Sequence, residues 1–243
     1  MRSLLYSDWC TLKGAAKGYL LLVATFPLIA VMGNVAEAAP DATALATNVH
    51  STIVSTCVTM LAFYGCLTFF GNDEREGWEG VRLSLPITRS LVVRSRYATQ
   101  LLWVVTLEVL ANLTGVCAGA AAAMVLRGQP GLVPVGEAVL LSGLVLVVCI
   151  LYLAIEMPFL FRTGLSRARV YFMLPFLACT LLVIEPVREV VREVVRTVAG
   201  TVSSVVGALG SPLPLMAGAL VVALAVYGAS MLLSERIYES RDF

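Results

Sequence analysis

Apolar residues along this chain fall into long blocks that polar and charged residues separate. An α-helix rises 1.5 Å per residue, so about 20 mainly apolar residues cross a hydrocarbon core roughly 30 Å thick. Six blocks are predicted to be transmembrane helices, although the fifth is short. Their predicted bounds are residues 18–36, 51–72, 97–126, 138–157, 170–185 and 213–233. The pattern predicts an all-α integral membrane protein with a single transmembrane domain, residues 1–243.

The composition agrees with a surface that faces mostly lipid. Of the 243 residues, 59% are hydrophobic and 14% are charged, against about 45–50% and 25% in soluble domains. A formal net charge of +1 supplies no basic surface for nucleic acid. The six cysteines occur singly, without a CxxC spacing, so neither a metal site nor a disulfide framework is expected.

The lysines and arginines predict how the chain is oriented. With the N-terminus in the cytoplasm, 13 of the 17 basic residues fall in the inner segments. Basic residues are enriched on the cytoplasmic side of membrane proteins. We therefore expect a multi-pass protein of the plasma (inner) membrane with both termini in the cytoplasm.

An outer segment, residues 186–200, follows the fifth predicted span. Its valines recur every three or four residues, opposite arginines and glutamates, which predicts an amphipathic helix. One interpretation is a helix that rests on the membrane surface. The other is an external gate, with Val190, Val194 and Val198 on the face that closes a pathway.

The sequence contains no motif for ATP binding or for catalysis. GxxxxGK[ST], HExxH and GxSxG are all absent, so we expect no catalytic residue and no metal site in this chain. The only histidine, His50, precedes the second predicted span. It is predicted to be a solvated side chain in the first outer loop.

Polar residues inside the predicted spans are candidates for a substrate pathway. Glu108 lies within the third span and Asn112 lies one turn later on the same face. An acid at the bilayer centre costs about 2.5–3.5 kcal/mol, and such residues usually face a bundle interior. The pair either lines a pathway or joins helices by hydrogen bonds. Gly115 and Gly119 predict close helix packing, and Glu156 is interpreted as interfacial.

The loop predicted between the second and third spans, residues 72–97, is long and carries both signs of charge. The positive-inside rule accounts for its later arginines, but it does not account for the acids around Trp78. Mixed charge around an aromatic residue is typical of a protein-binding surface. The predicted docking residues are Asp73, Glu74, Arg75, Glu76, Trp78, Glu79 and Arg82.

Three stretches together resemble a known family. They are the loop with DEREGW and SLPITRSLVVRSRY, the segment EMPFLFRTG at 156–164, and the tail SERIYESRDF at 234–243. In this order they resemble the ABC-2 type transporter permeases, the membrane subunits of ATP-driven exporters. Within that family they are most similar to the branch that exports bacteriocins and toxic peptides.

This resemblance implies a type V exporter-like half-transporter of six transmembrane helices. The loop 72–97 would be a cytoplasmic coupling helix that docks on a separate ABC ATPase subunit. ATP and Mg would be bound by that partner, with no cofactor in this chain. A second permease subunit, identical or related, would complete the transporter. The implied substrate is hydrophobic or amphipathic, such as a small peptide or a drug.

Two other classes fit the residues. One is an ion-coupled carrier with six helices, for which Glu108 is the candidate ion site. The other is a membrane protein of immunity or sensing that transports nothing. A separate ATPase that co-purifies with the chain would distinguish the exporter from both.

Overall fold

Every element in the described part of the chain is helical. A computed structural model describes residues 25, 27, 29–32, 41–76, 88–181 and 211–240, with the backbone alone at 63, 64, 69, 75, 76 and 165–181. The four long helices are α1 (Ala42–Glu76), α2 (Arg89–Arg127), α3 (Val135–Leu181) and α4 (Pro212–Glu239). Each contains a stretch that is long and apolar enough to cross a membrane.

Two predicted elements lie outside the described residues in whole or in large part. Most of the first predicted span, 18–36, is outside them. So is the whole outer helix 186–200, including Val190, Val194 and Val198. The number of spans and the role of the outer helix therefore stay predictions.

Helix α1 begins well before the predicted second span. The side chain of Asp41 accepts a hydrogen bond from the backbone N–H of Ala44 at 2.7 Å, which is the usual way an N-cap residue starts a helix. The helix then runs from Ala42 through His50. The prediction of a solvated loop histidine is wrong, because His50 is 1% exposed inside the bundle.

The connection between α1 and α2 is shorter than the predicted loop 72–97. Helix α1 continues to Glu76 and α2 begins at Arg89, so the two ends of that stretch extend the membrane helices. No glycine or proline interrupts the chain between Asn72 and Glu76. The charges of these extensions find partners on neighbouring helices, as described below, so hydropathy alone misplaced the helix ends.

Helices α1 and α2 pack antiparallel along their full length. A Cβ atom on Gly119 would lie 2.6 Å from the backbone oxygen of Ala46, and one on Gly115 would lie 2.9 Å from Cδ2 of His50. Further along, Gln100 Nε2 donates to the carbonyl of Ala62 at 2.9 Å. The prediction that the GxxxG face allows close packing is confirmed, and α1 is the helix that approaches it.

Helices α1, α3 and α4 run in the same direction, opposite to α2. Cys66 and Phe70 of α1 contact Met157 and Phe161 of α3 in turn. Helix α4 advances along α3 in the same sense. A Cβ on Gly143 would lie 2.7 Å from Met216, and the hydroxyl of Ser230, further along α4, donates to the carbonyl of Ala154.

One aromatic residue from each helix contributes to a cluster near one end of the bundle. The rings of Phe70 and Phe161 are 5.2 Å apart, those of Phe161 and Tyr238 are 5.5 Å apart, and those of Tyr97 and Phe161 are 6.3 Å apart. Contacts at these distances add to the free energy gained by burying the rings. We call this end of the bundle the charged end, because the ion pairs described below lie beside the aromatic cluster.

Helix α3 is broken at Gly164, where φ is 69° and ψ is 171°. This extended conformation with positive φ is essentially restricted to glycine. The predicted fourth span, 138–157, and the start of the fifth, 170–185, therefore lie on two helical segments of α3 that meet at this kink. Residues 182–185 lie outside the described part.

Candidate functional site

A group of polar side chains lies in the apolar interior between α1, α2 and α3. We call it the polar cluster, and it consists of His50, Glu108, Asn112 and Ser142. Glu108 is the middle residue of α2, 19 residues from either end. His50 and Ser142 lie eight and seven residues beyond the first residues of α1 and α3, so the cluster extends from mid-helix toward the end opposite the charged end.

Asn112 is the hub of the polar cluster. Its Nδ2 donates to Glu108 Oε1 and to the backbone carbonyl of Glu108, both at 2.9 Å. Its Oδ1 accepts from the Ser142 hydroxyl at 2.8 Å and lies 3.1 Å from His50 Nε2. With Oδ1 as acceptor, His50 carries its proton on Nε2. One amide therefore links three helices through hydrogen bonds.

Glu108 faces the protein interior, as predicted from the cost of an acid exposed to lipid. It is 7% exposed. Its Oε1 accepts from Asn112, but its Oε2 is buried without a hydrogen bond from any described residue. Among the described residues, no group of three or more histidine, cysteine, aspartate or glutamate side chains could hold a metal ion.

A second buried acid, Glu156, lies nearer the charged end. It is 4% exposed, so the interpretation of this residue as interfacial is wrong. The thiol of Cys66 on α1 and the phenol of Tyr152 lie close to it, yet neither carboxyl oxygen makes a hydrogen bond of normal geometry. Burial follows from the position of Glu156 on the face of α3 that packs against α1.

At the charged end, the first turns of α2 are tied to α1 and α4. Arg96 is 3% exposed and pairs with Asp73 at the end of α1. Arg94 contacts the Glu235 carboxylate of α4 at 2.6 and 3.3 Å. Arg89 donates to the carbonyl of Glu239 at 3.0 Å, which satisfies a carbonyl at the end of α4. The positive-inside rule accounts for the presence of these arginines at one end of the bundle, but it does not predict the residues with which they pair.

Glu74 links the end of α1 to the kink in α3. A Cβ atom built on Gly164 would lie 2.7 Å from Glu74 Oε1, so the carboxylate occupies the space that a side chain at 164 would need. The backbone conformation requires glycine there, whereas the exposed Glu74 side chain can turn aside. The kink in α3 therefore lies against the residues that lead into the connection 77–88.

A family model described as ABC-2 family transporter protein matches residues 3–239. The chain belongs to the ABC-2 transporter family. No curated protein and no solved structure matches the chain. The match covers all four described helices, so the bundle and the polar cluster are parts of an ABC-2 permease, a multi-pass membrane component of a transporter.

The docking residues predicted for this permease fall partly within the described region. Asp73 is paired with Arg96, and Glu74 is exposed beside Gly164. Arg75 and Glu76 belong to the last turn of α1, but their side chains are outside the described part. Trp78, Glu79 and Arg82 lie outside the described residues entirely. The docking role of all seven stays a prediction.

Glu108 and Asn112 lie together, as their spacing of one turn predicts, but sequence reasoning missed the other half of the cluster. His50 was predicted to lie in a loop. Nothing in the sequence distinguishes Ser142 from any other serine in a predicted span. A signal for His50 did exist, since the residues around it are compatible with a helix and Asp41 is a good N-cap. The role of the permease's polar cluster in transport stays a prediction.

Asn112→Leu should destabilise this permease by about 1–3 kcal/mol. It removes four polar contacts, each worth about 0.6 kcal/mol on average in membrane proteins. Ser142→Ala removes one contact and should cost the smaller amount. Thr114→Val is the control, because the Thr114 hydroxyl bonds only to carbonyls of its own helix. The free energy of unfolding in mixed micelles checks this order, and equal effects of the three substitutions would contradict it.

Proposed function

We propose that this chain is the permease subunit of an ATP-driven exporter whose ATPase is a separate polypeptide. The observation that carries the proposal is the family match over residues 3–239. The sequence lacks a phosphate-binding GxxxxGK[ST] loop, so the energy source has to be bound elsewhere. ATP and Mg²⁺ belong to that partner, and a second permease subunit completes the pathway.

The charged end supports the proposal as the docking face for the ATPase. Helices α1 and α2 reach it at Glu76 and Arg89, so both ends of the connection 77–88 are there. Movement of that connection would act directly on the Asp73–Arg96 pair and on Glu74 at the kink of α3. We propose that the ATPase contacts Trp78 and its acidic neighbours and that these two contacts pass the motion to the bundle.

The two faces of α2 support a pathway inside the assembly. Val105, Val109, Leu113 and Val116 are exposed on one face, which suits contact with lipid or with a second subunit. Glu108 and Asn112 lie beside this face, at its border with the buried face of α2. An amphipathic substrate needs both an apolar surface and a few polar groups, so we propose a small peptide or a drug-like molecule as cargo.

The coupling proposal is tested by reconstituting the chain with its co-purifying ATPase. The chain alone should hydrolyse no ATP, and the complex should. Trp78→Ala should weaken the complex about 30-fold, because truncating an aromatic anchor at an interface costs 2 kcal/mol or more. The readouts are ATPase binding and ATP hydrolysis at fixed subunit concentrations.

Two controls make the result specific. Trp78→Phe keeps an aromatic ring and should bind within a few-fold of wild type. Glu137→Gln changes an exposed acid at the other end of the bundle and should have no effect on binding. Normal binding and stimulation by Trp78→Ala would show that the connection is not the docking site, and ATP hydrolysis by the chain alone would contradict the proposal as a whole.

A further inference from the structure

Two acids are buried in the apolar interior of the bundle at different depths. Glu108 lies at the middle of α2, one turn before Asn112, which contacts Ser142 of α3. Glu156 lies 14 residues beyond Ser142 on α3, toward the charged end. The two carboxyl groups are therefore separate sites at different depths in the bundle.

Within the described part of the chain, only one of the four carboxyl oxygens of these acids accepts a hydrogen bond, Glu108 Oε1 from Asn112. Glu108 Oε2 and both carboxyl oxygens of Glu156 are buried there without one. In the described part of the chain, the ion pairs of Arg94 and Arg96 are made with Glu235 and Asp73, not with these acids. Burying an unpaired carboxylate costs so much free energy that the group takes up a proton instead.

The side chains nearest the two acids are an amide, thiols and a phenol. Glu108 faces Asn112 of its own helix, and Cys149 of α3 lies near it. His50 of α1 lies beyond the Asn112 amide. Around Glu156 are Tyr152 of α3 and Cys66 of α1.

A second layer lies around the Cys66 thiol, which is close to Glu156. It holds Tyr97 of α2, Tyr227 of α4 and Arg96, whose guanidinium is paired with Asp73. None of these neighbours supplies a cation placed to hold a buried carboxylate in its ionised form.

We propose that Glu108 and Glu156 are proton-binding sites within the membrane, and that closing of the bundle around them is linked to proton uptake. Any conformation that opens either acid to water lowers its affinity for a proton. By linkage, each such site then favours the closed bundle as the pH falls, by up to about tenfold per pH unit. Protons would thus bias the transport cycle of the permease independently of ATP.

Infrared spectroscopy of the chain in detergent tests the proposal without an ATPase or a known substrate. At neutral pH the folded protein should show the carbonyl stretch of protonated carboxyl groups. Glu108→Gln and Glu156→Gln should each remove part of that band, and the double variant should remove it. Glu137→Gln, which changes an exposed acid on α3, should leave it intact.

A pH series of unfolding equilibria gives a second readout and does not depend on assigning the band. Near neutral pH the unfolded chain releases protons that the folded chain keeps, so stability should fall as the pH rises. The unfolding constant should increase by about tenfold per pH unit for each protonated glutamate. The double Gln variant should lose this slope, and Glu137→Gln should keep it.

The outcomes separate clearly. A carboxylate spectrum for both glutamates at neutral pH, or a band and slope that survive both Gln substitutions, would overturn the proposal. If a Gln variant fails to fold, the wild-type spectra decide. The protonated band must be present in folded protein at neutral pH and absent after denaturation, and its absence from the folded protein rejects the inference.

Discussion

Arg96→Met is expected to destabilise the permease by about 3–5 kcal/mol, the cost of removing one partner from a buried ion pair. Arg96 is almost completely buried, and its guanidinium also lies 6.0 Å from the centroid of the Phe70 ring. Methionine fills a similar volume but leaves the Asp73 carboxylate without its cation. The measurement is the free energy of unfolding in mixed micelles.

Arg94→Met is the matched control for this prediction. Arg94 makes an ion pair of good geometry with Glu235, but its side chain is 52% exposed. Exposed pairs contribute about 0–1 kcal/mol, so this variant should stay close to wild type. The double variant Arg96→Met, Asp73→Leu should recover much of the lost stability. Equal losses in the two single arginine variants would contradict this account of the charged end.

Gly119→Ala is expected to destabilise the contact between α1 and α2 by about 1–3 kcal/mol, as overpacking does in protein cores. The added methyl group would meet the backbone oxygen of Ala46, which cannot turn away as a flexible side chain would. The two helices would have to separate at this point. Since His50 is one turn along α1, the polar cluster should be disturbed as well.

Gly228→Ala provides the comparison within α4. A Cβ atom on Gly228 has nothing within 4 Å, so the substitution should be neutral or stabilising by up to about 1 kcal/mol through helix propensity. Thermal unfolding in detergent would rank the two variants. A Gly119→Ala protein as stable as Gly228→Ala would show that α1 and α2 do not approach as closely as described.

The sequence predicted best those parts of the fold that depend on hydropathy alone. Helix α4 was expected at 213–233 and spans Pro212–Glu239, with its added turns reaching Glu235 and the charged end. Helix α2 likewise extends beyond the predicted 97–126 at both ends. A prediction from mean hydropathy treats every charged residue as unfavourable in a membrane helix. It therefore ends a helix where a charged side chain in fact has a partner on another helix.

Only two of the four residues of the polar cluster were predicted from the sequence, because the other two lie on different helices. Glu108 and Asn112 share one helix face, so their contact follows from a spacing of four residues. His50 and Ser142 reach the same place from two other helices, and their approach depends on the register that Gly119 sets against Ala46. Glu156 was misassigned because the predicted fourth span ends at residue 157, while α3 continues without a break to Gly164.

The common direction of α3 and α4 has a consequence for topology. The chain leaves Gly164 at the charged end, and α4 begins at the opposite end, since Met216 lies beside Gly143. Positions 164 and 211 therefore lie at opposite ends of the described bundle. The two helices are therefore not joined as neighbouring arms of a helical hairpin, whose helices run in opposite directions.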